Sequence, residues 1–403
     1  MRIPRDSAKG PCPGGTDLDI LSLVFDAPRY GTGSLADVFP SLLAGFGVPG
    51  EIDRLGLGIT ADRVCVLLID GLGAHALAAH PAAAPFLSGL ASTTLTAGFP
   101  STTATSLSSL GVGVPPGEHG IVGYLLRMPG QERLVNALRW QLHGDGQRVD
   151  LLRELVPEQF QPTATVFERA AAHGITVTQV APNYQNGSGL TRASLRGCEF
   201  RPNFSIGDLI DGIGTAIRAG SRSLVYAYHA DLDTTGHVRG PSSAAWLLEL
   251  AHVDRLAAEI AERLPPGAAL LVTADHGMVE LDERIDFDNH PELRTGVQQL
   301  GGEPRARHVY TEPGATPDVA AAWHDILGTD FAILSRAEAI DRGWFGPVVA
   351  PHIADRIGDL VVAARGTGGI IRSGAEPIQS IMLGHHGSLT PAELDVPLLT
   401  FRS

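Results

Sequence analysis

Cysteine is scarce. Three residues, Cys12, Cys65 and Cys198, are too few in 403 for a disulfide framework, and their spacing fits no cysteine-based metal site. Cys65 lies inside an apolar run and reads as a small buried hydrophobe. Positive charge is also short: 30 Lys and Arg against 44 Asp and Glu leave a formal charge of −14. That deficit argues against a nucleic-acid polymer as partner. It leaves a small phosphorylated substrate open, because bound divalent cations can supply positive charge locally. No run approaches the roughly 18 apolar residues of a membrane span. Met1 to Asp19 is polar and rich in Pro and Gly, without the apolar core of a signal peptide. The expectation is a soluble, cytoplasmic protein without a membrane partner, its oligomeric state left open. No internal repeat or low-complexity tract is evident.

What is present is an ordinary globular balance, 44% apolar and 18% charged, with 48 Gly and 28 Pro to make tight turns. Arg63 to Ile69 is a short continuous apolar run before Asp70-Gly71 and reads as a buried parallel strand. Ile175–Val180, Ser223–Tyr228 and Ala268–Thr273 read as further strands. Helical patterns cover Leu35–Phe46, Gly73–His80, Phe167–Ala172 and Ala244–Arg263. The alternation predicts an α/β fold: a mostly parallel central sheet with helices on both faces. After His276 the texture changes. Strands are expected at Arg307–Thr311, Phe331–Leu334 and Ile357–Ala363, and a helix at Pro317–Leu327. The expected division is a flexible lead and edge helix over 1–60, a catalytic core over 61–277 and 381–403, and an inserted α+β cap subdomain over 278–380.

Ligands of such sheets gather at the carboxyl ends of strands, and the acidic and histidine motifs fall there. Asp70 follows the first strand, Asp231 to His237 the third, Asp275-His276 the fourth. A hydroxyl run, Phe99-Pro-Ser-Thr-Thr103-Ala-Thr-Ser106, opens a pattern in which Leu107 and Leu110 share a face. A helix start there offers free N–H groups to an anion and a hydroxyl as nucleophile. Each piece has a plain alternative: the hydroxyls and Asp70 cap helices, Asp275-His276-Gly277 closes a turn, Asp233 and His237 are turn and surface residues, and His385-His386 is a solvated loop pair. Together, carboxylates and imidazoles suit zinc or a similar divalent ion. A pair of such ions can hold both the attacking and the leaving oxygen at phosphorus.

The ordered set of motifs resembles the alkaline phosphatase superfamily, and within it the nucleotide pyrophosphatase/phosphodiesterase (type I phosphodiesterase) branch. Its carriers, from about Val64 to Leu399, are Leu68-Ile-Asp70-Gly-Leu, Phe99-Pro-Ser-Thr-Thr103, Gly113-Val-Pro-Pro-Gly-Glu-His119-Gly-Ile-Val-Gly123, Asp233-Thr-Thr-Gly-His237, Ala274-Asp-His-Gly277 and Gly384-His-His-Gly387. The resemblance implies an alkaline-phosphatase-like core and two Zn2+ per chain. It implies Thr103, not Thr102, as nucleophile. One ion would be held by Asp70, Thr103, Asp275 and His276, the other by Asp233, His237 and His386, with His385 the extra member of its pair. The implied activity is hydrolysis of phosphodiester or pyrophosphate bonds, nucleotide-like substrates favoured, through a phospho-threonine. Alternatives are a phosphomonoesterase, a phosphonoacetate-type hydrolase and a phosphoryl mutase. Two departures bear on substrate. Tyr124 stands where relatives carry an Asn that donates to a phosphoryl oxygen, and Ala104-Thr105-Ser106 replaces Phe-Pro-Asn. Tyr184 and Asn186 are further candidate substrate contacts, or turn residues. On this reading the site needs no basic side chains.

Overall fold

The computed structural model describes residues 25–144 and 146–403. The expectation for residues 1–20 lies outside them. Along the chain, the first helix is α1 (Val38–Gly45), followed by β1 (Arg63–Ile69), β2 (Ala91–Thr96), α2 (Thr103–Val112) and α3 (Val166–Ala172). Then come β3 (Thr176–Pro182), β4 (Glu199–Asn203), α4 (Ile206–Ala216), β5 (Ser223–His229), α5 (Asp231–Arg239), α6 (Ala244–Arg263) and β6 (Ala269–Thr273). The final part holds β7 (Val297–Glu303), β8 (Ala306–Thr311), α7 (Thr316–Leu327), β9 (Phe331–Ser335), β10 (Leu360–Ala364) and β11 (Asp395–Arg402).

The central sheet has seven strands in the order β2-β11-β6-β1-β5-β3-β4. β1 pairs in parallel with β5 and β6, and β3 with β5 and β4. Only β11 runs against its neighbours, pairing antiparallel with β6 and β2. The middle strands show no alternation of apolar and polar residues. β5 and β6 are buried at every position and β1 at all but Arg63. A strand with both faces covered needs continuous apolar character, and Val-Cys-Val-Leu-Leu-Ile supplies it. Cys65 is fully buried among them. One group of helices, α1, α2 and α3, is in mutual contact; a second links α6 to α4 and α5.

The strand expected over Ile357–Ala363 begins only at Leu360, because Ile357 closes a turn through its N–H to Ala354. It joins a second, antiparallel sheet in the order β7-β8-β10-β9. One side of this sheet packs under α7, with Trp323, Phe331 and Val362 in that cluster. From the other side Ala306, Leu334, Val361 and Ala363 enter the main core. The second sheet is therefore apolar on both faces and is tied into the first.

Candidate active site

Register brings three strand ends level. Ile69 stands opposite His229 and Leu68 opposite Thr273, so Asp70, the start of α5 and Asp275-His276 emerge side by side. The chain turns sharply after Asp70. Gly71 has φ +74°, and a Cβ there would lie 3.0 Å from both Cα and Cβ of Asp233. Only glycine allows that approach at that backbone angle.

The carboxylates are fixed by bonds that leave one face open. Asp275 Oδ1 accepts from the N–H groups of Gly71 and His276, each at 3.1 Å. The Tyr228 hydroxyl donates to Asp70 Oδ2. The remaining oxygens, Asp70 Oδ1, Asp275 Oδ2 and Asp233 Oδ1, are buried without a hydrogen-bond partner among the described residues. Such atoms are costly unless something cationic meets them.

Three imidazoles face them. Nδ1 of His276, His237 and His386 lies 3.1, 2.8 and 2.9 Å from the carbonyl oxygens of Gly277, Gly384 and Ser101. A carbonyl only accepts, so each Nδ1 carries a proton and each Nε2 is the ring nitrogen that faces inward. His276 Nε2 lies 3.5 Å from Asp70 Oδ1 and 3.4 Å from Asp275 Oδ2. Asp233 is 3.4 Å from His237 Nε2 and 4.0 Å from His386 Nε2. The His276 and His386 rings stack at 3.5 Å. Asp70-Asp275-His276 and Asp233-His276-His386 each present donor atoms within 4.8 Å of one another. Burial, then the neighbouring carboxylates, push Asp70 well above the usual carboxylate range, and burial raises Asp275. Burial and the adjacent imidazoles hold His386 far below its usual value. Left alone, the cluster crowds buried carboxyl groups against one another and against three imidazoles. Its donor set and orphaned oxygens fit divalent cations.

Thr103 is the first residue of α2, and its Oγ1 lies 3.2 Å from His276 Nε2. Thr102 occupies the N-cap position without making a side-chain cap bond, so the capping role expected of the hydroxyl run is not used there. The run is anchored from below. Phe99 packs edge-on against Trp344 and Phe345, with ring centroids 4.9 and 5.5 Å away, and the Ser101 hydroxyl donates to Ser388 O at 2.7 Å. The expectation of one buried face on α2 is corrected: all ten residues are buried. Ser108 turns its hydroxyl back to Ala104 O at 2.7 Å, while the buried hydroxyls of Thr105 and Ser106 have no partner among the described residues.

Above these groups opens a cleft of 1110 Å³ bordered by Asp70, Thr103, Asp233, His237 and His386. Tyr124 stands in its wall, its hydroxyl accepting from Gln379 Nε2 at 3.4 Å, and burial holds the phenol above its usual pKa. Tyr184 borders the cleft as well. Asn186, expected beside it, does not; it is an exposed turn residue. His385 is held in a short ladder opposite Val279, which leaves His386 as the residue facing Asp233. The expectation of a site without basic side chains is also corrected for the cleft as a whole. Arg133, Arg139 and Arg148 line its wall, brought there by a small sheet of residues 125–126, 135–136 and 141–142. Sequence reasoning missed these arginines, Tyr228, and the buried Glu303, whose carboxyl burial pushes up to about 8. Nothing local in the sequence marks them.

Among the described residues no helix is long and apolar enough to cross a membrane. No curated protein sequence matches the chain significantly. Solved structures do. Murine ectonucleotide pyrophosphatase/phosphodiesterase 5 is 17% identical with a TM-score of 0.67, over 85% of this chain and 88% of that one. An inactive form of that murine protein, in complex with AMP, is 18% identical with a TM-score of 0.66, over 83% and 87%. Phosphonoacetate hydrolase from Sinorhizobium meliloti, in complex with phosphonoacetate, is 20% identical with a TM-score of 0.61, over 84% and 89%. The sequence pattern of the type I phosphodiesterase/nucleotide pyrophosphatase family matches residues 64–389. That span includes every carboxylate, imidazole and hydroxyl gathered beneath the cleft, and the chain belongs to this family.

Proposed function

We propose that this protein is a two-zinc hydrolase of phosphodiester or pyrophosphate bonds, acting on nucleotide-like substrates through a phospho-Thr103 intermediate. The observation that carries the reading is Thr103 Oγ1 beside His276 Nε2, the one atom common to both donor groups. Asp70, Thr103, Asp275 and His276 would hold one ion; Asp233, His237 and His386 would hold the other. Bound there, the ions would offset charge on the phosphoryl oxygens and lower the pKa of the Thr103 hydroxyl.

The chain's own groups then have defined tasks. The first turn of α2 sets the Thr103 hydroxyl beside His276 Nε2, where one ion can be shared by both, and directs its N–H groups toward a phosphoryl oxygen. Thr103 Oγ1 forms a bond to phosphorus as the bond to the leaving oxygen breaks. Water then displaces Thr103 in the same manner, so two in-line inversions give net retention at phosphorus. Tyr124, protonated at neutral pH, donates to a non-bridging oxygen. Glu303, Pro304 and Gln379 of the proposed cap segment, 278–380, border the cleft and would shape access to it.

The AMP complex and the inactive threonine-to-alanine form of the murine neighbour support the nucleotide and threonine readings. A phosphonate substrate is the second reading. It is favoured by the phosphonoacetate complex of the bacterial neighbour and by the arginines in the cleft wall, which suit a second anionic group. Zinc-loaded protein assayed side by side on bis-p-nitrophenyl phosphate, p-nitrophenyl phosphate and phosphonoacetate ranks the readings. Thr103→Ala should lower turnover of the preferred substrate by about a thousandfold or more. Normal turnover in that variant would refute the nucleophile.

A further inference from the structure

We propose that His229, Asp231 and Glu249 form a third divalent-cation site, sharing no residue with the groups around Thr103 and taking a borderline ion such as Zn2+. His229 ends β5, Asp231 opens α5, and Glu249 lies in the second turn of α6. Their donor atoms fall within 4.8 Å of one another. His229 Nε2 lies 3.6 Å from Glu249 Oε1 and 3.9 Å from Asp231 Oδ2. A tetrahedral centre with bonds of about 2.1 Å separates its ligands by about 3.4 Å, close to this spacing.

The imidazole carries the argument. The His229 side chain is only 8% exposed, and Nε2 is buried without a hydrogen-bond partner among the described residues. It faces two carboxylates at distances too long for hydrogen bonds. A gap with one nitrogen and two oxygens around it has the donor types and the room of a cation site. Asp231 is 67% exposed, so the ion has a path from solvent and water to complete its shell.

The site would tie three elements together. Asp231 lies two residues before Asp233 in the first turn of α5, and the His229 carbonyl accepts the Asp70 N–H at 2.9 Å. An ion here therefore positions the backbone that carries two of the proposed catalytic carboxylates, without touching substrate.

Equilibrium dialysis against micromolar Zn2+, with bound metal counted by atomic emission, tests this on wild type, Glu249→Gln, Asp231→Asn and Asp275→Asn. Wild type should bind three ions, and Glu249→Gln and Asp231→Asn two each. Glu249→Gln should also show a smaller rise in melting temperature on adding Zn2+. Equal stoichiometry in wild type and both variants would overturn the proposal. Asp231 is exposed, so its variant keeps the test valid should Glu249→Gln fold poorly. Asp275→Asn separates the readings: undiminished binding in that variant would refute the proposed function and leave the Glu249 result standing.

Discussion

Asp275→Asn should have opposite effects on stability in the presence and absence of divalent ions. In chelated protein Asp70 and Asp275 are buried with oxygens within 4.8 Å of the same imidazole nitrogen and of each other. At that separation and an effective dielectric of about 20, two unit charges repel by about 3.5 kcal/mol. A shorter separation would raise this figure and proton uptake lowers it, so it sets the scale only. The amide keeps what holds Asp275 in place: its Oδ1 still accepts from Gly71 and His276, and its Nδ2 takes the place of the oxygen 3.4 Å from His276 Nε2. The chelated variant should therefore melt a few degrees above chelated wild type.

The pH dependence has a definite sign. Both carboxyls have folded pKa values above the ordinary carboxylate range. The stability of chelated wild type is fully present below that range and is lost as pH rises through it toward the folded values. The advantage of the variant should grow in the same direction. With Zn2+ at about a hundred times its Kd, wild type gains about 2.7 kcal/mol per ion, and the variant forfeits much of it along with turnover. Calorimetry with and without EDTA across a pH series measures all of this. A chelated variant that melts below chelated wild type would refute the picture of carboxylates held apart only by a cation.

Tyr228→Phe removes the hydroxyl that donates to Asp70 Oδ2 and should weaken metal binding by about 10- to 100-fold while leaving the fold intact, as read by competition with a chromophoric chelator. Arg305→Met strips Glu393 of a buried bidentate partner at 3.0 and 2.7 Å, both side chains having no exposed surface; the cost should be about 3–5 kcal/mol, seen as a lower urea midpoint. Tyr124→Phe should lower kcat/KM by about fivefold, the worth of about 1 kcal/mol for one neutral donor, with binding of metal unchanged.

The parts of this protein that were legible in its sequence are those where one local signal suffices. Asp70 and Asp275 each follow an apolar run that can only be a buried strand, so their place at adjacent strand ends follows from the logic of a parallel sheet. Ala244–Arg263 has a Ser before it, a continuous amphipathic pattern and a Pro-Pro-Gly after it, and forms a helix over those residues. The edges of the sheet carried no such signal. β2, Ala-Ser-Thr-Thr-Leu-Thr, is polar and exposed for four residues, and β4 contains a proline. β2 exists because β11, from the far end of the chain, pairs with it, and β4 because it adds to the edge of β3; edge strands tolerate that composition.

The same distinction runs through the site. Between His385 and His386 sequence spacing alone cannot choose. The choice is made by the Ser101 carbonyl, 285 residues away, and by the stack on His276. Gly301-Gly-Glu-Pro-Arg-Ala leads into the expected strand Arg307–Thr311 with no mark of burial on its charges, yet Arg305 and Arg307 are wholly buried against Glu393 and Glu376, and Glu303 lies in the wall of the cleft. These ion pairs fasten the strands of the second sheet to the segments on either side of His386. A charge whose partner lies some seventy to ninety residues on has no local signature, so the groups that hold the proposed metal ligands in register were the ones hidden from the sequence.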